Sequence, residues 1–219
     1  NTGRLRTDGF VATGTTPVSI DVDLLGKFVF VANQGSNNVS GYAISKPSGR
    51  LTSIGATSAG TAPAAVTLDR LARFLYAVNS GSNTVSVYSV NASTGALTAG
   101  TAVACGAGPT DGVVGPAGKF LFVVGGTAND LRSYSIDQST GALTAVSTVA
   151  TDTGPAAVAS HPSGSFVYTA NATAGNITVA SVDPTTGALT LVNTVAAGTT
   201  PSDIAVSPDG LYLYCANKG

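Results

Sequence analysis

Phe74-Leu-Tyr-Ala-Val-Asn-Ser-Gly-Ser-Asn-Thr-Val-Ser-Val-Tyr-Ser-Val-Asn-Ala-Ser-Thr-Gly-Ala-Leu-Thr98 is the stretch that decides the fold. It reads as two strands and the start of a third, separated by Gly-Ser-Asn and Ser-Thr-Gly turns. Related stretches open at Phe28, Phe120 and Phe166, and a shortened one opens at Tyr212. Pro17, Pro63, Pro109, Pro155 and Pro201 are spaced 46 residues apart, as are Gly3, Gly49, Gly95, Gly141 and Gly187. A repeat of that length marks a propeller, a solenoid or another array.

Each repeat divides into four strands, A to D. In the first they are Pro17 to Asp23, Lys27 to Asn33, Val39 to Ser45, and Arg50 to about Thr57. Strand B is apolar at nearly every residue, as in Phe28-Val-Phe-Val-Ala32, and is expected to be covered on both faces. Strand C alternates, with Val85, Val87 and Val90 set against Ser86 and Ser89. Val, Thr, Ser and aromatic residues fill the segments, and none keeps a capped 3.6-residue apolar period. Four-stranded sheets stacked face to face around an axis meet both demands.

The expectation is an all-β, single-domain β-propeller of 46-residue four-stranded blades at about 17–62, 63–108, 109–154 and 155–200. A fifth blade, 201–219, is closed by 1–16. Gly3-Arg-Leu5 matches Gly49-Arg-Leu51, so residues 1–16 are expected to supply the last strand of that blade. The chain stops at Gly219, the equivalent of Gly81, so the last blade is expected to lack its third strand.

The formal net charge is −1, only 10% of residues are charged, and every acid is Asp. That balance gives no footprint for nucleic acid or for an anionic membrane surface. No apolar run is long enough for a transmembrane helix, so no membrane insertion is expected. Ser, Thr and Asn richness points to an extracellular or cell-surface setting. Cys105 and Cys215 fall at different repeat positions on non-neighbouring blades, which argues against an intrachain disulfide.

The tetrads Phe30-Val-Ala-Asn33, Tyr76-Ala-Val-Asn79, Tyr168-Thr-Ala-Asn171 and Tyr214-Cys-Ala-Asn217 end strand B. With Ser207-Pro-Asp-Gly210 and the Thr-Gly-Ala-Leu-Thr segments, they resemble YVTN-repeat and lactonase-like β-propellers across the whole chain. The resemblance implies a propeller of usually seven blades. Its members include sugar-lactone hydrolases, muconate-lactonising enzymes, and surface or secreted proteins without assigned chemistry. The enzymes of the group use acidic, His and Arg side chains near the axis.

Strand A is the innermost strand of a propeller blade, which makes its polar positions the candidates for a central site. The second residue after each repeat proline is Ser19, Ala65, Asp111, Ala157 or Asp203, and the fourth is Asp21, Thr67, Val113, Ala159 or Ala205. Asp21, Asp111 and Asp203 are therefore the acidic candidates for ligand or metal binding at the channel. Oxygen ligands of this kind suit Ca²⁺ or Mg²⁺. The competing reading makes them partners of backbone amides.

His161 takes the place of Asp23 and Asp69 in its A–B turn and reads as a turn residue. The Asn33, Asn79, Asn171 and Asn217 column reads as turn chemistry, with Asn tolerating positive φ. Asn38-Val-Ser40, Asn91-Ala-Ser93, Asn171-Ala-Thr173 and Asn176-Ile-Thr178 match glycosylation sequons by spacing alone.

With no Glu and a single His, the main expectation is a non-catalytic extracellular propeller with an assembly or interaction role. Its partner would be another copy or another protein at the open strand edge near Leu211 to Asn217. The alternatives are a lactonase-like hydrolase or isomerase acting on a sugar lactone in the channel, and a metal- or small-ligand-binding module.

Overall fold

The computed structural model describes residues 9–219, and within them the regular structure is all β. The first sheet runs β1 (Pro17–Val22), β2 (Phe28–Asn33), β3 (Asn38–Ser45) and β4 (Arg50–Ser58). The second contains β5 (Pro63–Leu68), β6 (Phe74–Asn79) and β7 (Thr84–Val90). Its outer strand is broken into β8 (Leu97–Ala99) and β9 (Val103–Ala104), both paired to β7. The third comprises β10 (Pro109–Val114), β11 (Phe120–Gly125), β12 (Asp130–Ile136) and β13 (Leu143–Ala150). The fourth comprises β14 (Pro155–Ser160), β15 (Phe166–Asn171), β16 (Asn176–Val182) and β17 (Leu189–Ala196). The last is the pair β18 (Pro201–Val206) and β19 (Leu213–Asn217).

All consecutive pairs are antiparallel, so each sheet is a meander, and the sheets are the blades of a β-propeller. The repeat prolines open strand A at one recurring irregularity: the register shifts between Pro17 and Ser19 and at each equivalent position. Proline has no amide hydrogen to give to a ladder and is tolerated at such a bulge.

Among the described residues, four apolar cores lie between the five blades. Phe30, Val39, Leu75 and Tyr88 join the first two, and Tyr76, Val85, Leu121 and Tyr134 join the second and third. Phe122, Leu131, Val167 and Ala180 join the third and fourth, and Ala170, Ile177 and Ile204 join the fourth and fifth. Strand B is buried on both faces in β6, whereas β19 is largely exposed. The outward-facing residues of β1, Val18, Ile20 and Val22, are exposed as well.

Phe28 and Phe74 are packed between blades, but the aromatic column does not stay buried: Phe166 is 36% exposed and Tyr212 is 60% exposed. Phe28, Phe74 and Phe120 each lie against a glycine of the following blade's C–D turn, Gly95, Gly141 and Gly187 respectively. Among the described residues, Phe166 and Tyr212 have no such turn to cover them.

Only part of the N-terminal segment, residues 9–16, is described. Residues 9–16 form no strand pairing and lie along the first blade, where the Tyr42 hydroxyl donates to the Ala12 carbonyl at 2.8 Å. Tyr88 repeats that bond to Ser58 and Tyr134 repeats it to Ala104, at 2.8 and 3.3 Å. The segment therefore occupies the place of a preceding blade's outer-strand end. Gly3 to Leu5, expected in the last blade, lie outside the described residues.

Candidate functional site

The inner edge of strand A has no neighbouring strand, so its amides need other acceptors. Side chains from the preceding blade supply them. Ser19 Oγ accepts from Val66 N at 3.1 Å, and Asp21 Oδ2 accepts from Leu68 N at 2.8 Å. Thr67 Oγ1 accepts from Val114 N at 3.4 Å, and Asp111 Oδ2 accepts from Val158 N at 3.0 Å. Donor and acceptor are 47 residues apart in each case. The second oxygen of each carboxylate accepts a local amide, from Val22 to Asp21 and from Gly112 to Asp111, both at 2.8 Å. Asp203 accepts from Ile204 N at 2.8 Å. The structure thus sets the three acids in backbone hydrogen bonds near the axis.

Burial leaves its mark on two of them. Desolvation raises the Asp21 pKa against the pull of the Leu68 and Val22 amides. Asp111 is pushed up to about 6, chiefly by desolvation, against its two amide bonds and with the negative charge of Asp203 adding to the rise. That interaction brings Asp111 and Asp203 into one electrostatic neighbourhood. Asp21 stands one alternate position farther along its strand, toward the A–B turn. Among the described residues, no group of three or more His, Cys or Asp side chains has the placement to hold a metal ion.

Beyond Asp21 the axis opens into a cavity of about 410 Å³ to which all five repeats contribute. Asp21, Asp23 and Leu24 come from the first, and Leu68, Asp69 and Arg70 from the second. Val114 and Pro116 come from the third, Ser160 and Pro162 from the fourth, and Pro208 from the fifth. The A–B turns hold this rim rigidly. Asp23 Oδ1 accepts from Lys27 N and Phe28 N at 2.5 and 2.7 Å. Asp69 Oδ1 accepts from Arg73 N and Phe74 N at 2.5 and 2.9 Å, while its other oxygen pairs with Arg73 Nε at 3.1 Å. Arg70 is exposed and makes no ion pair among the described residues. A somewhat larger cleft, about 470 Å³, lies on the outward face of the first blade. Its titratable group, Tyr42, already donates to Ala12.

His161 sits at the rim of the fourth blade but is engaged on both nitrogens. Nε2 lies 3.0 Å from the Gly210 carbonyl, which can only accept, so the proton is on Nε2. Nδ1 then accepts from Ser163 N at 3.1 Å and lies 2.7 Å from Ser163 Oγ. The imidazole thereby ties the turns of the fourth and fifth blades together.

The asparagine column works differently from a left-handed turn. Asn33, Asn79 and Asn171 are buried strand residues whose Nδ2 groups donate into strand C, for example to Ser40 at 2.9 Å and Thr178 at 2.8 Å. The left-handed asparagines are instead Asn37, Asn83 and Asn129. Each accepts an amide 25 residues on, from Ala62, Gly108 and Gly154, at 2.7 to 2.8 Å. In the third blade Gly125 replaces the column asparagine, and the Arg132–Asp130 pair, at 2.6 Å, takes over that space. Both cysteines are free; Cys105 is buried, and its thiol is pushed up to about 11 by desolvation.

The sequence matches the family described as "Lactonase, 7-bladed beta-propeller" over residues 1–68, 54–152 and 146–219. No curated protein matches it. A functionally unknown protein from Desulfotomaculum acetoxidans superposes with a TM-score of 0.81 at 17% identity, over 94% of this chain and 64% of that one. The periplasmic gluconolactonase PpgL of Pseudomonas aeruginosa gives 0.75 at 23% identity, over 93% and 57%. The hydrazine synthase of Kuenenia stuttgartiensis gives 0.72 at 21% identity, over 96% and 58%. The chain thus spans less than two thirds of each of these proteins. At such identities the superpositions speak to fold alone, and they include unlike chemistries.

The family match corrects the main functional expectation, a non-catalytic propeller for assembly. That expectation rested on the lack of Glu and of a histidine constellation. Acid–base capacity does not require either, because burial raises the carboxyls of Asp21 and Asp111. The chain belongs to the seven-bladed β-propeller lactonase family.

Proposed function

We propose that this protein is a lactonase-like hydrolase that opens a sugar lactone in the axial cavity. The observation that carries the reading is one cavity, built by all five repeats, holding a carboxyl of raised pKa and a guanidinium without an ion-pair partner among the described residues. Asp21 acts as the general base. Two backbone amides fix its orientation, and its raised pKa strengthens it toward water without a partner residue. It takes a proton from a water that attacks the lactone carbonyl carbon. Arg70 is the cation able to stabilise the oxygen that becomes negative. As the ring C–O bond breaks, the proton on Asp21 passes to the leaving oxygen, and a hydroxy acid results.

A panel of aldonolactones followed by proton release tests this. Turnover above the spontaneous rate is expected, with Asp21→Asn lowering kcat by roughly a hundredfold or more. Turnover unaffected by Asp21→Asn removes the assignment.

A further inference from the structure

We infer that the axial cavity takes an uncharged lactone and discriminates against its phosphorylated counterpart, an inference that rests on the lactonase reading above. Phosphate recognition draws on several converging donors, from cationic side chains, backbone amides or helix N-termini. This cavity offers few. Pro116, Pro162 and Pro208 occupy three rim positions, and a proline has no amide hydrogen. Leu24 occupies a fourth. The described residues contain no helix, so no helix N-terminus points inward.

The charges run the same way. Asp21, Asp23 and Asp69 face one lining cation, Arg70. Arg73 neutralises Asp69 at 3.1 Å, but its remaining nitrogens reach away to Gln138 at 3.0 Å. Asp23 has no ion-pair partner among the described residues. A phosphate dianion entering here meets more negative than positive charge. An uncharged sugar ring meets Leu24, Leu68, Val114 and the proline rings along its apolar faces, with Ser160 and Asp21 within the same lining for its hydroxyls. Hydrolysis then converts a neutral substrate into a carboxylate, which the same field pushes out.

The test compares kcat/KM for D-glucono-1,5-lactone and its 6-phosphate on the purified protein. The neutral lactone is expected to be favoured at least tenfold. Leu24 is 70% exposed, so Leu24→Lys adds a rim cation without disturbing the core, and it should move the ratio at least threefold toward the phosphorylated substrate. Equal or better use of the phosphorylated lactone, or no shift in Leu24→Lys, overturns the inference. If neither lactone is hydrolysed, the lactonase reading fails by itself. The charge preference is then decided by calorimetry with unreactive 1,5-anhydroglucitol and its 6-phosphate. Tighter binding of the neutral compound supports it, and tighter binding of the phosphate, or no binding of either, ends it.

Discussion

The ring of Phe74 fills the space that a Cβ on Gly141 would need, although the two residues lie 67 positions apart on neighbouring blades. The same relationship joins Phe28 to Gly95 and Phe120 to Gly187, where an added Cβ would fall 2.5 Å from a ring carbon. Gly141 also has φ of +75°, and the Tyr76 hydroxyl donates to its carbonyl at 3.1 Å. One glycine thus serves a left-handed turn and a close blade contact together.

Truncating Phe74 to Ala is expected to cost roughly 3–5 kcal/mol, because the ring is fully enclosed. Gly141→Ala is expected to cost roughly 1–3 kcal/mol from overpacking, with about 1 kcal/mol more from the left-handed backbone. In the double variant the overpacking cost should vanish, since the ring is gone. Chemical denaturation of the four proteins in this cycle measures the coupling. Strict additivity would mean that ring and turn do not meet.

The Asp69 carboxylate is buried and satisfied by two amides and Arg73. Asp69→Ala leaves those amides without acceptors and is expected to destabilise by roughly 2 kcal/mol or more. His161→Ala, at the equivalent turn, is expected to cost less, because the imidazole binds a single amide there. Melting temperatures of the two variants check the order. A more damaging His161→Ala would show that the blade-to-blade bond to Gly210 dominates.

Asp111 gives stability an unusual pH dependence. Its folded pKa is raised to about 6, above the ordinary aspartate value of about 3.9, so between those values the folded chain holds more proton than the unfolded chain. This group's contribution therefore falls as pH rises from about 4 to above 6. Asp111→Asn should remove that slope in urea titrations run across the window. The exposed turn acids Asp137, Asp183 and Asp209 act in the opposite sense. Hydroxyl and amide bonds lower their pKa values, so their stabilisation is lost on acidification below about 4. A slope unchanged by Asp111→Asn would place the buried proton elsewhere.

The repeat made the blades legible in advance, because proline, glycine and aromatic columns each recur every 46 residues. The site was only half legible. The alternation of strand A located Asp21, Asp111 and Asp203 near the axis. It could not show that Asp21 and Asp111 bind amides one blade ahead, since that depends on the stagger between sheets. Arg70 was missed because its turn position is Leu24 in one repeat and proline in three others, so the column suggested a turn and not a cavity rim. Positive φ was expected in the Asn33 column for its residue type. The buried donor bonds to strand C hold those residues extended and shift the left-handed positions to Asn37, Asn83 and Asn129.

Asp21 is proposed as the base of a lactone-opening site. The most direct test of that role is the pH profile of kcat for aldonolactone hydrolysis by the wild type and Asp21→Asn, corrected for spontaneous opening. The wild-type rate is expected to rise through a single ionisation above the ordinary aspartate value of about 3.9, as the raised Asp21 carboxyl loses its proton. Asp21→Asn is expected to lose both the rise and most of the rate while remaining folded, its amide oxygen keeping one of the two backbone bonds. An Asp21→Asn protein that hydrolyses lactone at the wild-type rate, with the same profile, would contradict that role.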